Sequence, residues 1–217
     1  MSLINLIITR LSSLSEGDPS AYGVDSCIIK DSAEIRSSVF SGGKFRRARV
    51  CNLSVPGKFT AETLVIYPSF EYDFPIFGTE YLRIGNKKYF GATDFHPISS
   101  DTDYAKLYLK DFPNSEALGS KFYDLSKFFS SKFSIKKSEE DFYEEYLEEV
   151  SKFLSAYHTC SEEASPLSVD SESSQREYDI HMAENDPARG ILKAYFSSDF
   201  AENYIHNFLF TLANEQK

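Results

Sequence analysis

No tryptophan occurs in the 217 residues, methionine occurs twice and cysteine three times. The cysteines, Cys27, Cys51 and Cys160, are odd in number and far apart, with no CxxC pair and no Cys/His cluster at metal-ligand spacing. That spacing excludes a disulfide framework and the common zinc sites. It fits a reducing compartment, the cytoplasm or, in a eukaryote, the plastid stroma. Positive charge is also scarce: 23 Lys and Arg against 33 Asp and Glu leave a formal net charge of -10. Phosphate backbones demand concentrated cations, so a nucleic-acid binder is excluded and any basic site must be local. Long apolar runs are missing. The N-terminal stretch Ser2 to Leu11 is too short for a membrane span and lacks a cleavage-like site, so it reads as a short amphipathic helix with no membrane role. The chain has no GxGxxG after a strand, no P-loop, no nucleophile elbow and no HExxH. An enzyme built this way works with acids and bases on a reactive substrate, or takes reducing power from outside.

What is abundant is aromatic: 19 Phe and 14 Tyr within 41% hydrophobic residues. A chain of this length and composition buries a sizeable core, and the expectation is one domain over residues 1–217. From about Val24 to Phe95, short alternating apolar runs such as Arg49-Val-Cys-Asn-Leu-Ser and Thr63-Leu-Val-Ile-Tyr are separated by Gly, Pro and Asn. Consecutive strands of this kind pair antiparallel. Beyond Asp101 the spacing turns helical, with one further strand expected near Phe129 to Ile135. Ser138-Glu-Glu-Asp141 reads as a capping signal before Phe142, Tyr146, Val150, Phe153 and Tyr157, which recur every three or four residues. The Ser-, Glu- and Pro-rich stretch from Ser161 to Gln175 is expected to be an exposed connection, followed by helices interrupted at Pro187. Strands followed by helices predict an α+β layered domain, with helices covering a central antiparallel sheet.

Two segments place carboxylates beside backbone-restricting residues: Glu71 to Glu80 running into Asp94-Phe-His-Pro97, and Glu184-Asn-Asp-Pro-Ala-Arg-Gly190. Such placement holds proton donors still in an apolar pocket. Asp186 before Pro187 also reads as a helix N-cap followed by an N1 proline, and the two roles are compatible. On a strand, Arg47 and Arg49 are expected on one face and Arg46 on the other. His96 is expected at an edge position bonding a loop, and His181, five residues before Asp186, to line a pocket.

The ordered set of Lys44-Phe-Arg-Arg-Ala-Arg-Val50, Tyr67-Pro-Ser-Phe-Glu-Tyr-Asp-Phe-Pro-Ile-Phe-Gly78, Asp94-Phe-His-Pro97, Phe128-Phe-Ser-Ser131, Tyr178 to Gly190 and Tyr204-Ile-His-Asn-Phe-Leu-Phe210 resembles the ferredoxin-dependent bilin reductases. The resemblance spans most of the chain. It implies an α/β/α sandwich that binds an open-chain tetrapyrrole between the sheet and the C-terminal helices. It also implies radical reduction by single electrons from reduced ferredoxin, with no bound cofactor, metal or flavin. Biliverdin IXα or a related bilin and ferredoxin are the implied partners, with a second bilin reductase or a heme oxygenase as further ones.

Residue by residue, the resemblance makes Glu80 and Asp186 the proton donors, with Glu80 standing where the family usually has Asp. Thr63 falls where several members place His or Asn, and Cys51 where another has Glu. Lys137, or Lys136, replaces an Arg that meets a propionate, a role also open to Arg189, and Arg46, Arg47 and Arg49 could serve a propionate or a partner. The acidic ferredoxin requires a local basic patch drawn from Lys44, Arg46, Lys87, Lys88, Lys132, Lys136 and Lys193. Within the family, the stretches Phe45 to Val50 and Tyr67 to Asp73 are most similar to enzymes that reduce biliverdin IXα at its 15,16 double bond, whereas the C-terminal stretches are similar to those completing phycoerythrobilin. A non-reducing bilin carrier and a ligand-free interaction domain are the readings from other classes.

Overall fold

The computed structural model describes residues 2–98, 102–114, 128–167 and 171–214. Among them an eight-stranded antiparallel sheet runs between two helical layers. The strands are β1 (Ser15–Gly17), β2 (Cys27–Lys30), β3 (Ala33–Gly42), β4 (Phe45–Val55), β5 (Phe59–Pro68), β6 (Ile76–Ile84), β7 (Lys88–His96) and β8 (Ser134–Ser138). Their order is β1-β3-β4-β5-β6-β7-β8, with β2 pairing the remaining part of β3. Tight turns join β3 to β4, β4 to β5 and β6 to β7, and at the β4–β5 turn Gly57 takes φ +73°, a left-handed conformation that favours glycine. The antiparallel α/β/α layering expected from the sequence is the architecture found.

Strand alternation sorts the apolar residues into two cores. One face gives Ala48, Val50, Leu64, Ile66, Phe77 and Phe95 to helices α1 (Leu3–Arg10), α2 (Tyr104–Tyr108) and α3 (Tyr143–Glu163). Tyr157 of α3 sits at the centre of this layer, with Phe74, Phe77 and Phe95 rings 5.4–5.7 Å away. Its hydroxyl donates to the carbonyls of Pro75 at 2.9 Å and Ile66 at 3.3 Å. The α3 helix begins without the side-chain cap expected from Ser138. Instead Ser138 Oγ accepts from Glu140 N, and Asp141 Oδ1 accepts from Tyr143 N, so the two side chains order the turn before the helix.

The opposite face gives Cys51, Leu53, Ala61, Val65, Tyr67 and Ala92 to α4 (Glu172–Asn185), α5 (Ala188–Tyr195), α6 (Ser198–Tyr204) and the turns over 205–214. The exposed connection expected over 161–175 is shorter than that: residues 165–167 are exposed, while the two ends of the stretch belong to helices or are buried. The α3 helix runs on to Glu163, Tyr72 bridges to Pro166, and Gln175 is wholly buried with its amide donating to the Pro68 carbonyl.

Arg46 likewise departs from simple alternation. The β4–β5 register shifts between Phe45 and Arg47, a bulge that turns Arg46 toward the α4 side. There it donates to Gln175 and lies 4.3 Å from the Tyr67 ring centroid. This second helical layer is tied to the sheet by buried polar bonds. Arg49 donates to the Leu209 carbonyl at 3.0 Å, Arg47 to the Phe208 carbonyl, and Tyr67 to Asp179, which also accepts Leu212 N at 3.0 Å. Bonds of this kind to charged groups contribute roughly 1.5–3 kcal/mol each.

Candidate functional site

Between the sheet and the α4–α5 layer lies a cavity of about 300 Å³. Its floor is one face of four strands: Arg49, Cys51 and Leu53 of β4; Phe59, Ala61, Thr63 and Val65 of β5; Gly78, Glu80 and Leu82 of β6; Ala92, Asp94 and His96 of β7. The side-chain period of two puts every second residue of each strand in this wall. The roof is Tyr178, Met182, Asp186, Ile191, Leu209 and Phe210. Most of the lining is apolar, and a few polar groups converge inside it, as in a ligand site.

Four of the residues singled out in the sequence meet here. Glu80 rises from the floor, paired in register with Thr63 on β5 and Ala92 on β7. Thr63 accepts an Arg49 guanidinium N–H at 3.1 Å. Cys51 is paired with Thr63 across the strands, and its sulfur accepts the Tyr204 hydroxyl at 3.3 Å. Burial pushes the Cys51 thiol above its ordinary pKa, which keeps it protonated. Asp186 comes from the roof. It stands where α4 stops and α5 starts, and its Oδ1 accepts Ala188 N at 2.7 Å. The residue keeps some exposure, yet its carboxyl faces the cavity, where burial raises the pKa against the pull of that hydrogen bond and of Arg49.

The other four do not line the cavity. Lys137 is exposed on the edge strand β8, opposite Phe90, because β8 lies beyond the floor. Lys136 points to the other layer and pairs with Glu145. Arg189 is drawn away by Glu202 and the Ala183 carbonyl. Together with Lys193 it holds the Glu202 carboxyl down at about 2, so these charges brace α5 against α6. Arg47 is on the expected face but lies deeper, under the C-terminal turns and 4.4 Å from the Tyr22 ring centroid; burial lowers its pKa to about 10. His181 points at Phe128, 4.8 Å between ring centroids, with its Nε2 buried and unpartnered. Of the basic residues expected to greet a partner, Lys44 instead donates to the carbonyls of Ser161, Glu162 and Ala164 at the end of α3.

Three more residues that the sequence analysis named, without giving them a settled role, stand in the wall. Arg49 is 4% exposed, and among the described residues no carboxylate lies within ion-pair distance of it, so the cavity holds a fixed positive charge. Asp94 is 1% exposed, takes bonds from Ser130 N and Oγ, and is pushed by burial up to about 7. His96 is no edge residue. It bonds a loop carbonyl as expected, with Nδ1 2.9 Å from Phe128 O, but it is buried in the wall and its pKa falls to about 4. The signal for all three was present in the strand alternation, which puts Arg49 with Cys51, and Asp94 and His96 with Ala92, on one face.

Among the described residues, no helix is long and apolar enough to cross a membrane. A family model described as ferredoxin-dependent bilin reductase matches residues 10–211. Similar curated proteins include the 15,16-dihydrobiliverdin:ferredoxin oxidoreductase of Nostoc punctiforme, 28% identical over 195 residues that cover 83% of this chain and 80% of that protein. The protein of the same name from Parasynechococcus marenigrum is 33% identical over 198 residues, with 83% of each chain covered. A solved structure, phytochromobilin synthase from tomato in complex with biliverdin, superposes with a TM-score of 0.80 at 20% identity, covering 99% of this chain and 84% of that one. That likeness establishes the shared fold.

Proposed function

Because this chain belongs to the ferredoxin-dependent bilin reductases, we propose that it reduces biliverdin IXα to 15,16-dihydrobiliverdin with electrons from reduced ferredoxin. The observation that carries this reading is the opposition of two carboxylates across one cavity, Glu80 on the sheet side and Asp186 on the helix side. A flat, extended ligand sandwiched there meets an acid on each face. The names of the similar cyanobacterial proteins favour the 15,16 bond.

In this reading Asp186, whose carboxyl burial pushes toward the protonated form, supplies a proton to the bound bilin. One electron from ferredoxin then gives a radical. A second electron and a proton from Glu80 complete the two-electron reduction. Arg49 offers a fixed cation to a lactam oxygen or propionate, and the apolar wall excludes water from the radical. The larger side chain of Glu80, one methylene longer than Asp, reaches further toward the ligand.

An anaerobic assay with biliverdin IXα, ferredoxin and a reducing system tests this by absorbance and product chromatography. A blue-shifted product matching 15,16-dihydrobiliverdin is expected. Phycoerythrobilin would assign two successive reductions instead. A coloured complex that ferredoxin leaves unchanged, with added dihydrobiliverdin also unreduced, would make the protein a bilin carrier.

A further inference from the structure

Two buried titratable side chains of the cavity wall have no part in the mechanism above. Asp94 and His96 stand two residues apart on β7, 1% and 5% exposed. Both Asp94 oxygens are held by one residue: Oδ2 accepts Ser130 N at 2.8 Å, and Oδ1 meets Ser130 Oγ. His96 Nδ1 donates to the Phe128 carbonyl, which leaves the lone pair on Nε2. That nitrogen lies directly over Gly78, where a Cβ would come within 2.3 Å of it. The absent side chain at position 78 makes the notch that admits the ring to the wall. His96 Nδ1 and Asp94 Oδ2 are 3.6 Å apart.

The groups facing this pair are Glu80 on the adjoining strand β6, Arg49 on β4, Tyr178 of α4 with its ring 5.1 Å from His96, Asp186 at the end of α4, and Asp103 before α2. Burial dominates both members, holding His96 neutral and leaving Asp94 to exchange its proton near neutrality. A carboxyl in an apolar wall is expensive where packing alone is required. Here it is kept, aimed into the cavity, with two donors already placed for its ionised form.

Resting on the bilin-reductase reading, we infer that Asp94 is the proton reserve of this site, recharging Glu80 on the adjoining strand, and that His96 is a positioning residue whose Nε2 accepts an N–H of the bound tetrapyrrole. The Asp94 O–H bond breaks and its proton passes to the Glu80 carboxylate, re-forming the acid there, so that two protons in all, from Asp186 and Glu80, reach the ligand with the two electrons from ferredoxin. The carboxylate left behind is stabilised by the Ser130 N–H and O–H. Solvent returns the proton when product leaves.

The test is the reduction rate against pH for the wild type, Asp94→Asn and His96→Gln, alongside bilin absorbance titrations and melting temperatures. Wild-type rate is expected to fall as pH rises through about 7, the value to which burial brings Asp94. Asp94→Asn should bind bilin yet lose that limb and ~100-fold or more in rate. His96→Gln keeps a donor for the Phe128 carbonyl but loses the imidazole acceptor, so it should raise KM and shift the bound-bilin spectrum with little change in melting temperature. If Asp94→Asn fails to fold, Ser130→Ala serves, because removing a donor to the carboxylate should move the limb to higher pH. An active wild type beside variants with its rate, spectrum and pH profile overturns this inference alone. Wild-type binding without reduction overturns the functional reading, and the donor role with it.

Discussion

Gly78→Ala sets two physical expectations against each other. On backbone grounds alone, alanine in a strand should stabilise by ~0.5–1 kcal/mol. The structure predicts the opposite sign, since the new methyl would lie 2.3 Å from His96 Nε2 and 2.9 Å from its Cδ2. The ring lines the cavity and can withdraw into it only by breaking the contacts that hold it. Its Nδ1 is bonded to Phe128 O, while the rings of Phe129 and Tyr178 stand 5.0 and 5.1 Å away. Overpacking of this kind costs ~1–3 kcal/mol, and stranding the buried Phe128 carbonyl adds ~1–3 kcal/mol. The sum, ~2–6 kcal/mol, corresponds to a Tm lower by ~4–24 °C for a domain of this size. Thermal unfolding of a double-mutant cycle with His96→Ala reads the effect. Once the ring is gone, the alanine at 78 should cost nothing or gain slightly, giving a coupling of at least ~2 kcal/mol. A raised Tm for Gly78→Ala alone, or an equal loss in both backgrounds, would refute the reasoning.

Asp186→Asn should fold and bind bilin, because its amide oxygen can still accept Ala188 N, but should lose turnover; full activity by product chromatography would remove Asp186 from the proton path. Tyr157→Phe leaves the buried Pro75 carbonyl without its donor and should cost ~1–3 kcal/mol in urea unfolding, with the m-value unchanged. The His96 pKa falls from 6.5 to about 4, so the unfolded chain binds more protons in that window and stability rises with pH. Asp94, raised from 3.8 to about 7, contributes stability that is lost as pH rises through about 7, so the two slopes oppose each other. Denaturant unfolding at several pH values should therefore show a rising slope in Asp94→Asn and a falling one in His96→Gln, each up to ~1.4 kcal/mol per pH unit, and matching profiles in all three proteins would contradict both assignments.

Much of the layering was legible because period-two and period-3.6 patterns report burial directly. Leu64 and Ile66 against Val65 and Tyr67 already separate the two cores on β5. Arg46 was misplaced because a bulge is one residue of backbone geometry, invisible to alternation. Of the 161–175 stretch, residues 165–167 are exposed as expected, yet the polar Ser171 and Gln175 are buried by hydrogen bonds that only the fold brings together. In the candidate site, alternation was enough to gather Cys51, Thr63 and Glu80 on one floor. It does not reach partners distant in sequence, so Glu202 capturing Arg189, and Ser130 holding Asp94, had to come from the structure.

The sheet and α4 make their hydrogen bonds to the C-terminal roof at its main-chain groups: Arg47 and Arg49 of β4 and Arg176 of α4 take the carbonyls of Phe208, Leu209 and Leu212, and Asp179 of α4 takes the Leu212 amide. Every residue type has a carbonyl and nearly all have an amide. The hydrogen-bonded part of the anchorage is therefore indifferent to which side chains the segment carries, while Leu209 and Phe210 form part of the cavity lining. Substitutions at those two positions can reshape the chamber over a ligand without loosening the lid from its frame, which separates the evolution of specificity here from the upkeep of the fold.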